Sequence, residues 1–253
     1  MNQFTKPLRR FIIAALLFAL TSLQSLADYI NLPIKWSQPI GPSAVQPGRI
    51  YGTDRLSDHT FDTIRADDFL CTDPDPIVAV RWWGSYLPET IFSGLQPRPT
   101  TPGYTVPFDI SFHLSTFPNE PHPFSRPGPL LSLQGVLAQE EFVGIDDTGH
   151  YVYRYDAYLP QPFYQQGTHA NPIEYFLDID KPSHEMWGWH ETPYGGLDFP
   201  AVGTTHIGPW ANDPPHDLAF ELMTVPEPSS AAFIGLAGGL VLLTTRRRAQ
   251  LRR

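Results

Sequence analysis

The stretch YTVPFDISFHLSTF, Tyr104 to Phe117, decides the fold. Tyr104, Val106, Phe108, Ile110, Phe112 and Leu114 alternate with Thr105, Pro107, Asp109, Ser111, His113 and Ser115. A strand sends successive side chains to opposite faces, so this order predicts an antiparallel strand with one apolar and one polar face. Pro107 cannot donate to a ladder and predicts an edge position or a bulge there.

The neighbouring segments read the same way. Phe61–Cys71 and Ile77–Leu87 are strand signals separated by a turn at Pro74 and Pro76. Asp146-Asp147-Thr148-Gly149 is a turn signal, so Phe142–Leu159 reads as a hairpin. Ile173–Ile179 and Asp217–Thr224 add further strands, Trp36 is an expected core anchor, and Leu130–Gln139 stays open between a strand and a helical turn. No internal repeat is present, and no helical periodicity occurs outside the two ends. The fold class expected is all-β: a single antiparallel β-sandwich, of which the jelly-roll is one form. Cys71 is the only cysteine, which rules out an intramolecular disulfide and predicts a buried thiol.

The two ends are of another kind. Lys6, Arg9 and Arg10 precede the apolar run 11–20, and Ser25-Leu26-Ala27 supplies small residues at a cleavage site. Residues 1–27 therefore read as a signal peptide, helical before removal by signal peptidase. At the other end Ser229–Thr245 carries no charge over seventeen residues. As a helix this run spans about 26 Å, close to the ~30 Å of a hydrocarbon core. Arg246, Arg247, Arg248, Arg252 and Arg253 would hold its end on the cytoplasmic side. Between Asp28 and Thr245 nine basic residues face 26 acidic ones, a formal charge of −17. Such a surface excludes nucleic acid as a partner.

The last stretch, Val225-Pro226-Glu227-Pro228 with the apolar run and arginines behind it, resembles the PEP-CTERM sorting tail of exported bacterial proteins. That resemblance implies membrane anchoring during export, recognition of the Pro-Glu-Pro turn by an exosortase-type enzyme, and delivery to the cell envelope or extracellular matrix. Three units follow: 1–27 signal peptide, 28–224 exported domain, and 225–253 sorting tail with a transmembrane helix. The pieces Ala66-Asp67-Asp68-Phe69, Val80-Arg81-Trp82-Trp83-Gly84-Ser85-Tyr86, Trp187-Gly188-Trp189 and Asp217-Leu218-Ala219-Phe220-Glu221-Leu222 resemble an uncharacterised domain of exported bacterial proteins. This second resemblance spans roughly Trp36 to Thr224 and implies one domain without assigning catalytic residues.

No motif of an enzyme stands out. There is no G-x-S-x-G, H-E-x-x-H or phosphate-binding glycine loop, and the nine histidines keep no ligand spacing. No cofactor is expected, calcium excepted: Asp67, Asp68, Asp73 and Asp75 are candidate ligands, with Asp146-Asp147 and Asp178 with Asp180 offering similar oxygens. Trp83, Trp187 and Trp189 are candidate glycan contacts, with core packing as the competing role. Because Trp82 and Trp83 must point to opposite faces, Trp83 is the one expected to be exposed. The expected function is that of a non-enzymatic envelope or matrix protein associated with exopolysaccharide. A secreted polysaccharide hydrolase and a structural protein-binding module are the alternatives.

Overall fold

The computed structural model describes residues 32–99, 104–118, 123–213 and 216–225. The segment expected to be a signal peptide, and Pro226-Glu227-Pro228 with the apolar run and arginines after it, lie outside the described residues.

The alternating stretch forms β5 (Thr105–Thr116), and Val106, Phe108, Ile110 and Phe112 are all buried, as its period predicts. The strands before it are β1 (Ile34–Gln38), β2 (Asp54–Leu56), β3 (Ile64–Cys71) and β4 (Ile77–Thr90). After it come β6 (Arg126–Ile145), β7 (His150–Phe163), β8 (Ile173–Asp180) and β9 (Trp187–His190). Three short strands close the series: β10 (Ala201–Gly203), β11 (Trp210–Asn212) and β12 (Phe220–Thr224). The region left open between strand and helical turn is thus strand, inside β6.

The twelve strands form one hydrogen-bonded sheet in the order β1-β12-β4-β7-β6-β5-β8-β3-β10-β11, with β9 joined to β4 and β2 to β9. Every named pairing is antiparallel. β6 is the corner of this sheet. Its first part pairs with β5 and its last part with β7, and Gln139 is the residue of exchange, opposite both Thr105 and Asp156. The sheet then curls until its distant strands touch. Gln38 on β1 donates to Asp67 on β3 at 2.7 Å, and Phe69 on β3 meets Phe220 on β12 at 6.4 Å between ring centres.

Aromatic side chains fill the curl. Trp82, Phe108, Tyr155 and Trp187 pack edge to face and stacked, with ring centres 4.9 to 5.9 Å apart. Each buries on the order of 150–250 Å² and adds about 0.5–1.5 kcal/mol per pair beyond burial. Cys71 is buried as expected, donates to the Asp73 carbonyl at 2.9 Å, and burial pushes its thiol up, away from the reactive thiolate.

Two details refine the sequence reading. Pro107 lies within β5, which is a central strand, but β8 joins β5 only from Asp109 onward, so Pro107 sits where one side is still an edge. The polar face of β5 is covered as well. Ser111, His113 and Ser115 are buried while Leu114 is 39% exposed. The segment carrying β10 and β11 folds over that face, where Trp210, Ala201, Phe176, Ala66 and Ile64 form a second small core.

The predicted turn is built as its sequence requires. Asp146 Oδ1 accepts from the amides of Thr148 and His150, each at 2.8 Å, and Gly149 takes φ 96°, a left-handed conformation that favours glycine.

Candidate functional site

Trp187 and Trp189 are fully buried, and Trp83 is 6% exposed. The opposite orientation of Trp82 and Trp83 holds, but both sides of β4 are covered. Trp82 enters the main core, and Trp83 packs with Val152 and Ala219 against Ile40, Ile50 and Val143. These rings are packing residues, and no sugar can stack on them in the folded domain.

Several of the oxygens expected for calcium are taken by the chain's own donors, while Asp68 Oδ2 is buried without a partner. At Asp73 and Asp75 the place of a cation is filled by Lys35, whose Nζ donates to Asp73 Oδ1 at 2.6 Å, to the Asp73 carbonyl at 2.7 Å and to the Asp75 carbonyl. Asp67 and Asp68 are buried within β3 on opposite faces. Asp67 Oδ2 accepts from Gln38 Nε2 at 2.7 Å and from the Leu218 amide at 2.6 Å, and Asp68 Oδ1 accepts from the Leu197 amide at 3.1 Å. Burial, with the neighbouring charges of Asp68 and Asp217, pushes Asp67 well up. Burial, with Glu174 and Asp217 adding to it, pushes Asp68 to about 7.

Two arrangements remain, the first of them built around Asp178 and Asp180, which the sequence offered only as a pair of cation oxygens. The first is a histidine–aspartate network on the covered face of β5 and β8. The register places Ser111 opposite Asp178 and Asp109 opposite Asp180. Asp178 Oδ2 accepts from Ser111 Oγ and lies 2.8 Å from His113 Nε2, while Asp178 Oδ1 lies 2.7 Å from His206 Nδ1. Burial opposes ionisation of Asp178, but the hydrogen bonds from His113 and His206 and their charges win and hold its carboxyl below the usual range. Asp180 accepts from the backbone amide of His59 at 2.7 Å and contacts the His59 ring, yet burial outweighs these bonds and raises its carboxyl. His59 itself sits at the start of a single 3₁₀ turn, His59–Phe61, whose Asp58 cap accepts from the Thr60 amide at 2.9 Å. Ser111, His113 and Asp178 have the residue types of a hydrolytic triad. Ser111 Oγ lies 2.7 Å from His113 Nε2 and also contacts Asp178, but all three side chains are fully buried, so the hydroxyl is closed off from any substrate in this fold.

The second arrangement is a cleft of about 410 Å³ at the end of the curl where β6 and β7 diverge. β6 leaves β7 after Gln139 opposite Asp156, and from there the two strands follow different partners, β5 and β4. Gln134 bridges the gap: its Nε2 donates to the Gln161 carbonyl at 3.0 Å, and its Oε1 accepts from the Gln161 amide at 2.9 Å. Phe163, stacked on Phe112 at 4.2 Å, and Tyr175 form the floor. Leu131, Ser132, Gln166 and Tyr164, the last 72% exposed, complete the walls. No lining side chain carries a charge. Neutral amides, a hydroxyl and an exposed phenol ring can bind a neutral polyhydroxylated ligand by hydrogen bonds and ring contact, and supply neither acid nor base.

A family model described as a domain of unknown function (DUF7901) matches residues 34–223. No curated protein and no solved structure matches the chain.

Proposed function

We propose that this chain, which belongs to the DUF7901 family, is an exported, non-enzymatic protein of the cell envelope or extracellular matrix that binds exopolysaccharide in the cleft between β6 and β7. The observation that carries the reading is the chemistry of the cleft walls: exposed Tyr164 beside Gln134, Gln161, Gln166 and Ser132, with no carboxylate among the lining residues. Polysaccharide hydrolysis needs a pair of acids across the scissile bond, and the cleft offers none. This favours binding over the hydrolase alternative. Within this reading the curled sheet acts as a β-sandwich whose layers are joined through β6. Export rests on the signal peptide at 1–27, and delivery on the tail at 225–253. Signal peptidase and an exosortase-type enzyme are the processing partners, with the inner membrane as anchor before cleavage.

The test uses the purified protein and the neutral exopolysaccharide of the producing cell. Calorimetric titration is expected to show saturable binding with no release of reducing ends. Replacing Tyr164 with alanine is expected to weaken binding about tenfold, roughly the loss of one ring contact of 1.4 kcal/mol, with an unchanged melting temperature. Binding that survives Y164A and Gln166→Ala together would move the ligand elsewhere, and released sugar ends would replace binding with hydrolysis.

A further inference from the structure

The histidine–aspartate network gathers three aspartates of adjacent strands on one covered face. Asp109 and Asp180 stand directly opposite each other on neighbouring strands, and like charges in that position repel. Asp178 is two residues away on the same face of β8. Around these three carboxylates stand His59, His113 and His206, and no lysine or arginine nitrogen lies within ion-pair distance of any of the three acids among the described residues.

The orientation of the imidazoles is specific. His206 Nδ1 lies 2.7 Å from Asp178 Oδ1, which leaves its other ring nitrogen, Nε2, facing Asp180. That Nε2 is 3.8 Å from Asp180 Oδ2. Donor atoms of His59, Asp109 and Asp180 lie within 4.8 Å of one another. Ligand atoms around a tetrahedral zinc, with bonds of about 2.0–2.2 Å, are separated by roughly 3.3–3.6 Å; His59 Nδ1 and Asp180 Oδ2 are in direct contact, so an ion would replace that hydrogen bond with two bonds to itself. A histidine fixed by a buried carboxylate on its far nitrogen is also the usual support of a metal ligand, and Asp178 is fixed in turn by Ser111 and His113. The His59 side chain is 40% exposed and leaves a path from solvent.

We propose that His59, Asp109 and Asp180 bind one divalent transition-metal ion of the zinc class, with His206, whose Nε2 stands 3.8 Å from Asp180 Oδ2, turning in as the fourth ligand and Asp178 orienting it. Two imidazole nitrogens and two carboxylates suit zinc and its first-row neighbours, whereas calcium and magnesium prefer an all-oxygen shell. The ion joins the 3₁₀ turn at His59 and the loop at His206 to the central strands β5 and β8, clamping two surface segments onto the sheet. This site is separate from the glycan cleft, and neither depends on the other.

The test is titration of the chelator-treated full-length protein with zinc chloride alone, followed by calorimetry, and with cobalt(II) for the visible absorption of a tetrahedral site. One equivalent is expected to bind and to raise the melting temperature. His59→Ala and His206→Ala are each expected to weaken binding about 100-fold, and Asp178→Asn about 10- to 100-fold. His169→Ala, at an exposed histidine in the loop before β8, is expected to change nothing. His59 is surface-exposed, so H59A keeps the fold and the comparison stands even where a change at Asp178 destabilises it. Absence of a zinc equivalent, zinc binding unaffected by H59A and H206A, or preference for calcium would each overturn the site.

Discussion

Replacing Trp187 with alanine is expected to cost about 3–5 kcal/mol and to lower the melting temperature by roughly 10–15 °C. Trp187 has no exposed surface, and its ring centre is 5.0 Å from that of Phe108 and 5.9 Å from that of Tyr155. On its other side it presses on the backbone of β4 at Gly84, where an added Cβ would lie 2.3 Å from Trp187 Cζ2. Gly84 is therefore glycine because the indole occupies the space of a side chain. The ring joins β9 to β4, β5 and β7, so the void left by alanine opens where four strands meet and cannot close without moving a ladder. Thermal and denaturant unfolding of the purified variant would measure the loss. A variant that melts with the unaltered protein but no longer binds exopolysaccharide would return Trp187 to the role of a sugar contact.

The contrast between this tryptophan and the cleft shows which properties a sequence carries. The alternation in β5 is local: it needs only the pleat, and the buried face of Val106, Phe108, Ile110 and Phe112 follows from it directly. The parity of Trp82 and Trp83 is equally local. What covers Trp83 is not, because Ile40 and Ile50 come from a proline-punctuated segment with no period. In the same way the polar face of β5 reads as solvent-facing until β10 and β11 fold over it. Those strands are three residues long each, too short for any alternation to show.

The sites are less legible still, since each is assembled by register. Asp109 meets Asp180 across a β5–β8 pairing that joins positions 71 residues apart, and His206 arrives from an irregular loop. The usable signal was the aspartate pair at 178 and 180 together with Asp109, Ser111 and His113 on one face of a strand. Reading these as one patch required knowing that β8 pairs with β5. For the cleft no signal existed: Gln134 and Gln161 are ordinary strand glutamines until β6 and β7 part company beyond Gln139.

Asp68 gives the second large effect, and it runs against the usual behaviour of a carboxylate. Its Oδ1 has the Leu197 amide, its buried Oδ2 has no partner, and burial with the charges of Glu174 and Asp217 pushes it to about 7. In the unfolded chain the same group titrates near 3.9. The folded state thus holds a proton that the unfolded state has released, so stability from this group is full below about pH 4 and is lost as pH rises towards 7. A displacement of that size corresponds to about 4 kcal/mol, as an upper figure for a carboxyl coupled to Asp67, which is raised in the same direction. Asparagine keeps an acceptor for the Leu197 amide and cannot ionise. Asp68→Asn is therefore expected to match the unaltered protein at pH 4 and to exceed it by about 2–4 kcal/mol at pH 8, read as denaturant midpoints at fixed ionic strength. Adding calcium at pH 8 is expected to leave the unaltered protein's midpoint where it was. A midpoint difference between variant and parent that does not change with pH would show that Asp68 is ionised in the fold, and a calcium-dependent rise would make it the ligand its sequence position suggests.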